Sequence, residues 1–115
     1  MAQRFNATAL VAAYGDESLV SELAVLLLET ASSQMAAIRK AVEHSDAPAL
    51  KAAAHRLRGA VATFGETSAA ELSWTLESKA ECGDLRDAPD LAARLDAEMR
   101  AICDGAGSWL EIGRA

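Results

Sequence analysis

A chain of 115 residues has room for one domain around one core. Apolar residues make up 51% of it, alanine is frequent and there are two prolines and few aromatics, a composition that reads as all-helical. The formal net charge of −6 argues against nucleic acid and anionic membranes as partners, and no apolar run reaches membrane-spanning length.

The elements follow from the punctuation. Asn6 is placed to cap a short helix that runs to about Tyr14 and ends at Gly15. Asp16 can cap a long second helix, whose positions Leu19, Leu23, Leu26, Leu27, Met35, Ile38 and Val42 keep helical spacing for about six turns. His44-Ser45-Asp46 breaks that pattern. Asp46 can cap a third helix, with Pro48 tolerated in its first turn. Leu50, Ala54, Leu57, Val61 and Phe64 alternate in steps of four and three, which is a core seam, and Gly65 stops it. Ser68 with Glu71 has capping-box spacing and opens a fourth helix with Leu72, Leu76 and Ala80 inward. Cys82-Gly83-Asp84 is the next break. Asp87 and Pro89 start a fifth helix through Leu91, Leu95, Met99 and Ile102, ending near Gly105.

Four long helices with short connections predict an all-α fold, an antiparallel four-helix bundle with a short N-terminal lid helix. The expectation is a single domain over residues 1–115, with the bundle at about 5–105 and a tail at about 106–115 that has no clear period. Phe5 and Tyr14 are expected to pin the lid helix. Trp74 points off its seam and is expected to cover the bundle edge or meet the first helix, with a partner contact as the alternative to packing. Met35 and Met99 fall on apolar stripes and read as core. No signal peptide is visible. Cys82 and Cys103 fit no metal or redox spacing, so both are expected to be free thiols in a reducing cytoplasm.

The third helix carries the chemistry. His55 sits about 100° from the seam residue Ala54 and should be at least partly exposed. Lys51 lies one turn before it, Arg58 and Gly59 one turn after, and Ala62 two turns after, so the stripe runs cation, histidine, cation, then small residues. A neutral imidazole is a nucleophile near neutral pH. Phosphoryl transfer needs an in-line nucleophile and positive charge near the equatorial oxygens. Arg58 can supply that charge with planar donors, and Lys51 a weaker, more distant field. Gly59 costs about 1 kcal/mol relative to alanine in a helix interior, so something must need the missing side chain. The simplest candidate is a second molecule descending onto His55 over Gly59 and Ala62. The other histidine, His44, lies at a helix end, where a terminus interaction or solvation suffices.

At His55-Arg56-Leu57-Arg58-Gly59, with Gly65 ten residues after the histidine, the chain resembles the histidine phosphotransfer (HPt) domains of phosphorelays, whose motif is His-x-x-Lys-Gly. Gly15-Asp16, Asp46, Leu76-Glu77 and Gly83-Asp84-Leu85 resemble the punctuation usual in that family, and the likeness runs from about Phe5 to Asp104. The resemblance implies that His55 is the phosphoacceptor, taking a phosphoryl group from the aspartate of one receiver domain and passing it to another. Arg58 stands where the family has a lysine that neutralises the phosphate. Gly59 matches the glycine that permits close docking, and Gly65 a structural turn glycine. Glu77 stands where the family often has a glutamine able to hydrogen-bond the imidazole. A carboxylate there can orient the ring or pair with Arg58 but would repel a nearby phosphate, and a solvated surface glutamate is the alternative reading.

No Gly-rich nucleotide loop is present, so the expectation is a phosphocarrier without autonomous kinase activity. It would bind no cofactor, and the magnesium for transfer would come from the receiver's acidic pocket. The implied partners are response-regulator receiver domains and a sensor histidine kinase, hybrid kinases included. The carrier is expected to be a cytoplasmic monomer with a mainly apolar, transient docking face on its second and third helices. The rival reading is a helical adaptor that binds or sequesters a receiver or kinase without carrying phosphate. A bundle that merely dimerises leaves Gly59 unexplained.

Overall fold

Short polar side chains open four of the five helices found in the computed structural model, which describes residues 5–65 and 67–113. Asn6 accepts from the Ala9 amide at 3.1 Å and starts α1 (Ala7–Tyr14). Asp16 accepts from the Ser18 amide at 2.9 Å and starts α2 (Glu17–Glu43). Asp46 accepts from the Ala49 amide at 3.0 Å and starts α3 (Ala47–Ala62). Each of these satisfies an amide that the first helical turn leaves without a partner.

The start of α4 (Ser68–Glu81) is shifted by one residue from the expected capping box. Thr67, not Ser68, is the cap: its hydroxyl accepts from the Ala70 amide at 3.2 Å, and the residue is buried. Glu71 thus falls one position too late for the reciprocal bond of a capping box. The last helix, α5 (Ala88–Gly113), begins directly after Asp87 but does not end near Gly105. It continues to Gly113, so residues 106–113 are helical rather than a tail. Ala106 is fully buried, and Trp109 and Leu110 pack against the core.

The reason lies in what Gly105 does. A Cβ there would sit 2.9 Å from Phe5 Cβ. The glycine admits Phe5 against α5 rather than stopping the helix. The Phe5 ring then lies 6.0 Å from both Phe64 and Trp109, a separation suited to tilted aromatic pairs. Tyr14 donates its hydroxyl to the Thr63 carbonyl at 2.6 Å. Phe5 and Tyr14 therefore pin the lid helix over the end of α3, as expected. Gly105→Ala should lower the thermal midpoint by displacing Phe5, despite the helix propensity gained. Gly107, whose Cβ would meet nothing within 4 Å, should respond to the same change with up to about 1 kcal/mol of added stability. Thermal unfolding of the two variants checks the opposite signs.

Helix α3 packs against α2 and α4, and α5 closes the ring against the same two helices. The result is the expected antiparallel bundle, a rod of 46 × 21 × 21 Å. The α3 seam is buried as read, at Leu50, Ala54, Leu57, Val61 and Phe64. Met35 and Met99 are core residues. The α2 stripe, however, is rotated from the expected one. Val20, Ala24, Leu27, Ala31, Met35, Ile38 and Ala41 face inward, while Leu19 and Leu26 are exposed. Small alanines let α2 approach its neighbours closely, and the larger leucines are left on the outer shoulders. Trp74 also departs from expectation: it is 56% exposed and stands outside the core cluster.

Both cysteines are free, Cys82 exposed and Cys103 half-buried. Burial, with Asp104 nearby, pushes the Cys103 thiol up and keeps it protonated. No helix among the described residues is long and apolar enough to cross a membrane.

Candidate functional site

With its seam packed inward, α3 presents His55 to solvent, its side chain 65% exposed. The nearest group comes from the antiparallel neighbour α4. His55 Nδ1 lies 2.9 Å from Glu77 Oε2. An ionised carboxylate can only accept, so Nδ1 carries the proton and donates it. Arg58 Nη2 lies 3.4 Å from the same nitrogen, but a guanidinium has no lone pair to offer and the protonated Nδ1 has none free. That contact is proximity, not a hydrogen bond. In the neutral ring, the lone pair therefore sits on Nε2.

Glu77 is not a solvated surface glutamate, since its side chain is only 15% exposed. It holds both partners at once: Arg58 Nε is 3.2 Å from Oε1 while His55 occupies Oε2. The Arg58 pair is ionic rather than an aligned hydrogen bond, which leaves the buried Oε1 without a hydrogen-bond donor. Ring orientation and pairing with Arg58, the two uses the sequence left open for this carboxylate, thus occur together. Lys51 is not drawn into the cluster. It pairs with Glu81 at 3.4 Å, one turn away, with both side chains largely exposed, an arrangement that contributes little to stability. His44 donates Nδ1–H to the Lys40 carbonyl at 2.9 Å, an interaction with the end of α2.

Gly59 is exposed, and a Cβ added there would meet nothing within 4 Å. No group among the described residues requires the glycine. Gly65 differs: its φ of +96° lies in the left-handed region that favours glycine, and it ends the turn after α3. The assembled site offers an outward nucleophilic nitrogen with its tautomer held from behind. A guanidinium stands beside it, and the surface one turn along is bare.

This combination of bundle and exposed histidine defines a class, and the comparisons with known proteins agree. The family model of the Hpt domain matches residues 22–105, and the chain belongs to the Hpt domain family. Its role is accordingly histidine phosphotransfer in two-component systems, a phosphocarrier role in which Hpt domains act with receiver domains and histidine kinases. Among solved structures, it is similar to histidine-containing phosphotransfer protein B (HptB) from Pseudomonas aeruginosa PAO1. The TM-score is 0.79 at 22% identity, covering 91% of this chain and 90% of that one. It is also similar to the HPT domain of a sensor hybrid histidine kinase from Shewanella, with a TM-score of 0.84 at 19% identity and 94% of each chain covered. No curated protein sequence matches the chain.

Proposed function

We propose that His55 is the phosphoacceptor of a relay carrier. Nε2 attacks the phosphorus of a receiver's aspartyl phosphate, the Nε2–P bond forms, and the aspartyl O–P bond breaks to release the carboxylate. Transfer to a second receiver reverses these roles: its aspartate oxygen attacks phosphorus and Nε2 leaves with its electron pair. Nδ1 keeps its proton throughout, and the Glu77 carboxylate offsets the positive charge that the ring carries while phosphorylated. The observation that supports this most is the 2.9 Å Nδ1–Glu77 contact, which leaves Nε2 as the free nucleophile. Arg58 lies beside the ring and suits the equatorial oxygens of the transferring group. Gly59 leaves clearance for the partner. The carrier acts as a cytoplasmic monomer, binds no cofactor and relies on magnesium in the receiver's acidic pocket.

The test is incubation with receiver domains phosphorylated by acetyl phosphate. An acid-labile, base-stable label on this chain is expected. No label from any of a panel of receivers would overturn the carrier reading in favour of a non-phosphorylated adaptor. Glu77 gives a graded check. Glu77→Ala removes a charge-assisted hydrogen bond of about 1.5–3 kcal/mol, so single-turnover labelling should slow by about tenfold to 100-fold. Glu77→Gln keeps an acceptor oxygen for Nδ1–H and should lose much less.

A further inference from the structure

Trp74 is the most exposed of the large apolar side chains among the described residues. It is 56% exposed and enters no ring or cation contact among the described residues. Its position follows from the register of α3 against α4. Lys51 meets Glu81, and four residues on, His55 meets Glu77 four residues back. Continuing that antiparallel register by one turn brings Trp74 opposite Arg58 and Ser73 opposite Gly59. Ser73 is fully buried, so it faces the core. Trp74 lies about 100° further round α4 and about 60° from Glu77, on the outer shoulder of the seam that holds His55. The indole thus stands across from Arg58, the residue before the bare backbone of Gly59, and about one turn (~5 Å) along α4 from the residue that orients the ring.

We infer that Trp74 is a docking anchor for the receiver domain, contacting an aliphatic side chain on the rim of the receiver's acidic pocket. The inference rests on the phosphotransfer reading above. Transfer requires the reacting atoms to approach within about 3–3.5 Å, so the interface must be centred on His55 Nε2. Even a small transient interface buries about 600 Å² per partner, which is a disc about 14 Å in radius. Trp74 falls inside that disc. The cations Lys51 and Arg58 on the α3 side of the seam complement an acidic pocket, and the indole supplies an apolar contact on the α4 side. Tryptophan is the residue most often found to dominate such interfaces, because it buries much area with little conformational entropy to lose. The docking surface therefore reaches onto α4, beyond the face of α2 and α3 expected from sequence.

The experiment compares wild type, Trp74→Ala and Trp74→Phe with a phosphorylated receiver, reading KM for the receiver and the single-turnover rate at saturation. Trp74→Ala should raise KM by about tenfold or more and leave the saturated rate within about twofold. Trp74→Phe should fall between the two, and the thermal midpoint of all three should agree, because the ring is exposed. A KM within about twofold of wild type, with a receiver that labels the wild-type protein, overturns this inference and leaves the carrier reading intact. A lowered saturated rate at unchanged KM also overturns it, assigning Trp74 to ring positioning instead. If no receiver labels the wild-type protein, both readings fail together.

Discussion

His55→Gln is expected to abolish phosphoryl acceptance while leaving the protein folded. An amide nitrogen has no nucleophilic lone pair in the plane that the imidazole Nε2 offers, so no N–P bond can form. The fold should survive because the His55 side chain is 65% exposed and belongs to the outer face of α3. The partner left behind is the concern, since Glu77 is 15% exposed and its Oε2 accepts the hydrogen bond from the histidine Nδ1–H. A glutamine amide can donate to that oxygen in place of the ring, which is why glutamine is a better probe than alanine. His55→Ala would leave Oε2 without its donor, at a cost of about 1–3 kcal/mol. Chemical denaturation should therefore show His55→Gln within about 0.5 kcal/mol of wild type, with no acid-labile label in the transfer assay. Equal label on wild type and variant would move the phosphoacceptor away from His55.

Gly59 separates stability from function more sharply. Among the described residues the glycine has no packing reason, because a Cβ there meets nothing within 4 Å. Gly59→Ala should stabilise the fold by about 0.4–1 kcal/mol through helix propensity and a less flexible unfolded chain. Gly59→Leu should also fold, with its side chain projecting into solvent one turn from His55. That side chain occupies the space a partner must enter to bring an aspartyl phosphate within attacking distance of Nε2. Transfer should fall by at least about 100-fold in Gly59→Leu, since a displacement of about 1 Å already costs that much, and by less in Gly59→Ala. Gly107→Ala is the matched control: another helical glycine with open space at its Cβ, expected to gain stability with no loss of transfer. An unchanged rate in Gly59→Leu would show that docking does not pass over this residue.

The α3 stripe shows why part of this site was readable. One helix carries Lys51, His55, Arg58 and Gly59, and spacing within one helix is fixed by its geometry. The α2 stripe was misread because hydrophobicity ranks leucine above alanine, whereas close helix packing turns Ala24 and Ala31 inward and leaves Leu26 outside. The cap of α4 moved from Ser68 to Thr67 because both are competent caps, and burial of Thr67 against the bundle decides between them. Gly105 looked like a helix end because glycine usually marks one. Its reason lies exactly one hundred residues away, in Phe5.

By itself, the sequence determined the helix order, most of the caps, the α3 seam and the exposure of a histidine beside a cation and a glycine. All of these follow from local periodicity and from hydrogen bonds made within a few residues. Tertiary structure alone decided what stands behind and beside that histidine. The meeting of Glu77 with His55 and Arg58, the diversion of Lys51 to Glu81 and the placing of Trp74 across from Arg58 all depend on the register of α3 against α4. That register is set by how the two buried faces interlock, which no spacing within either helix contains.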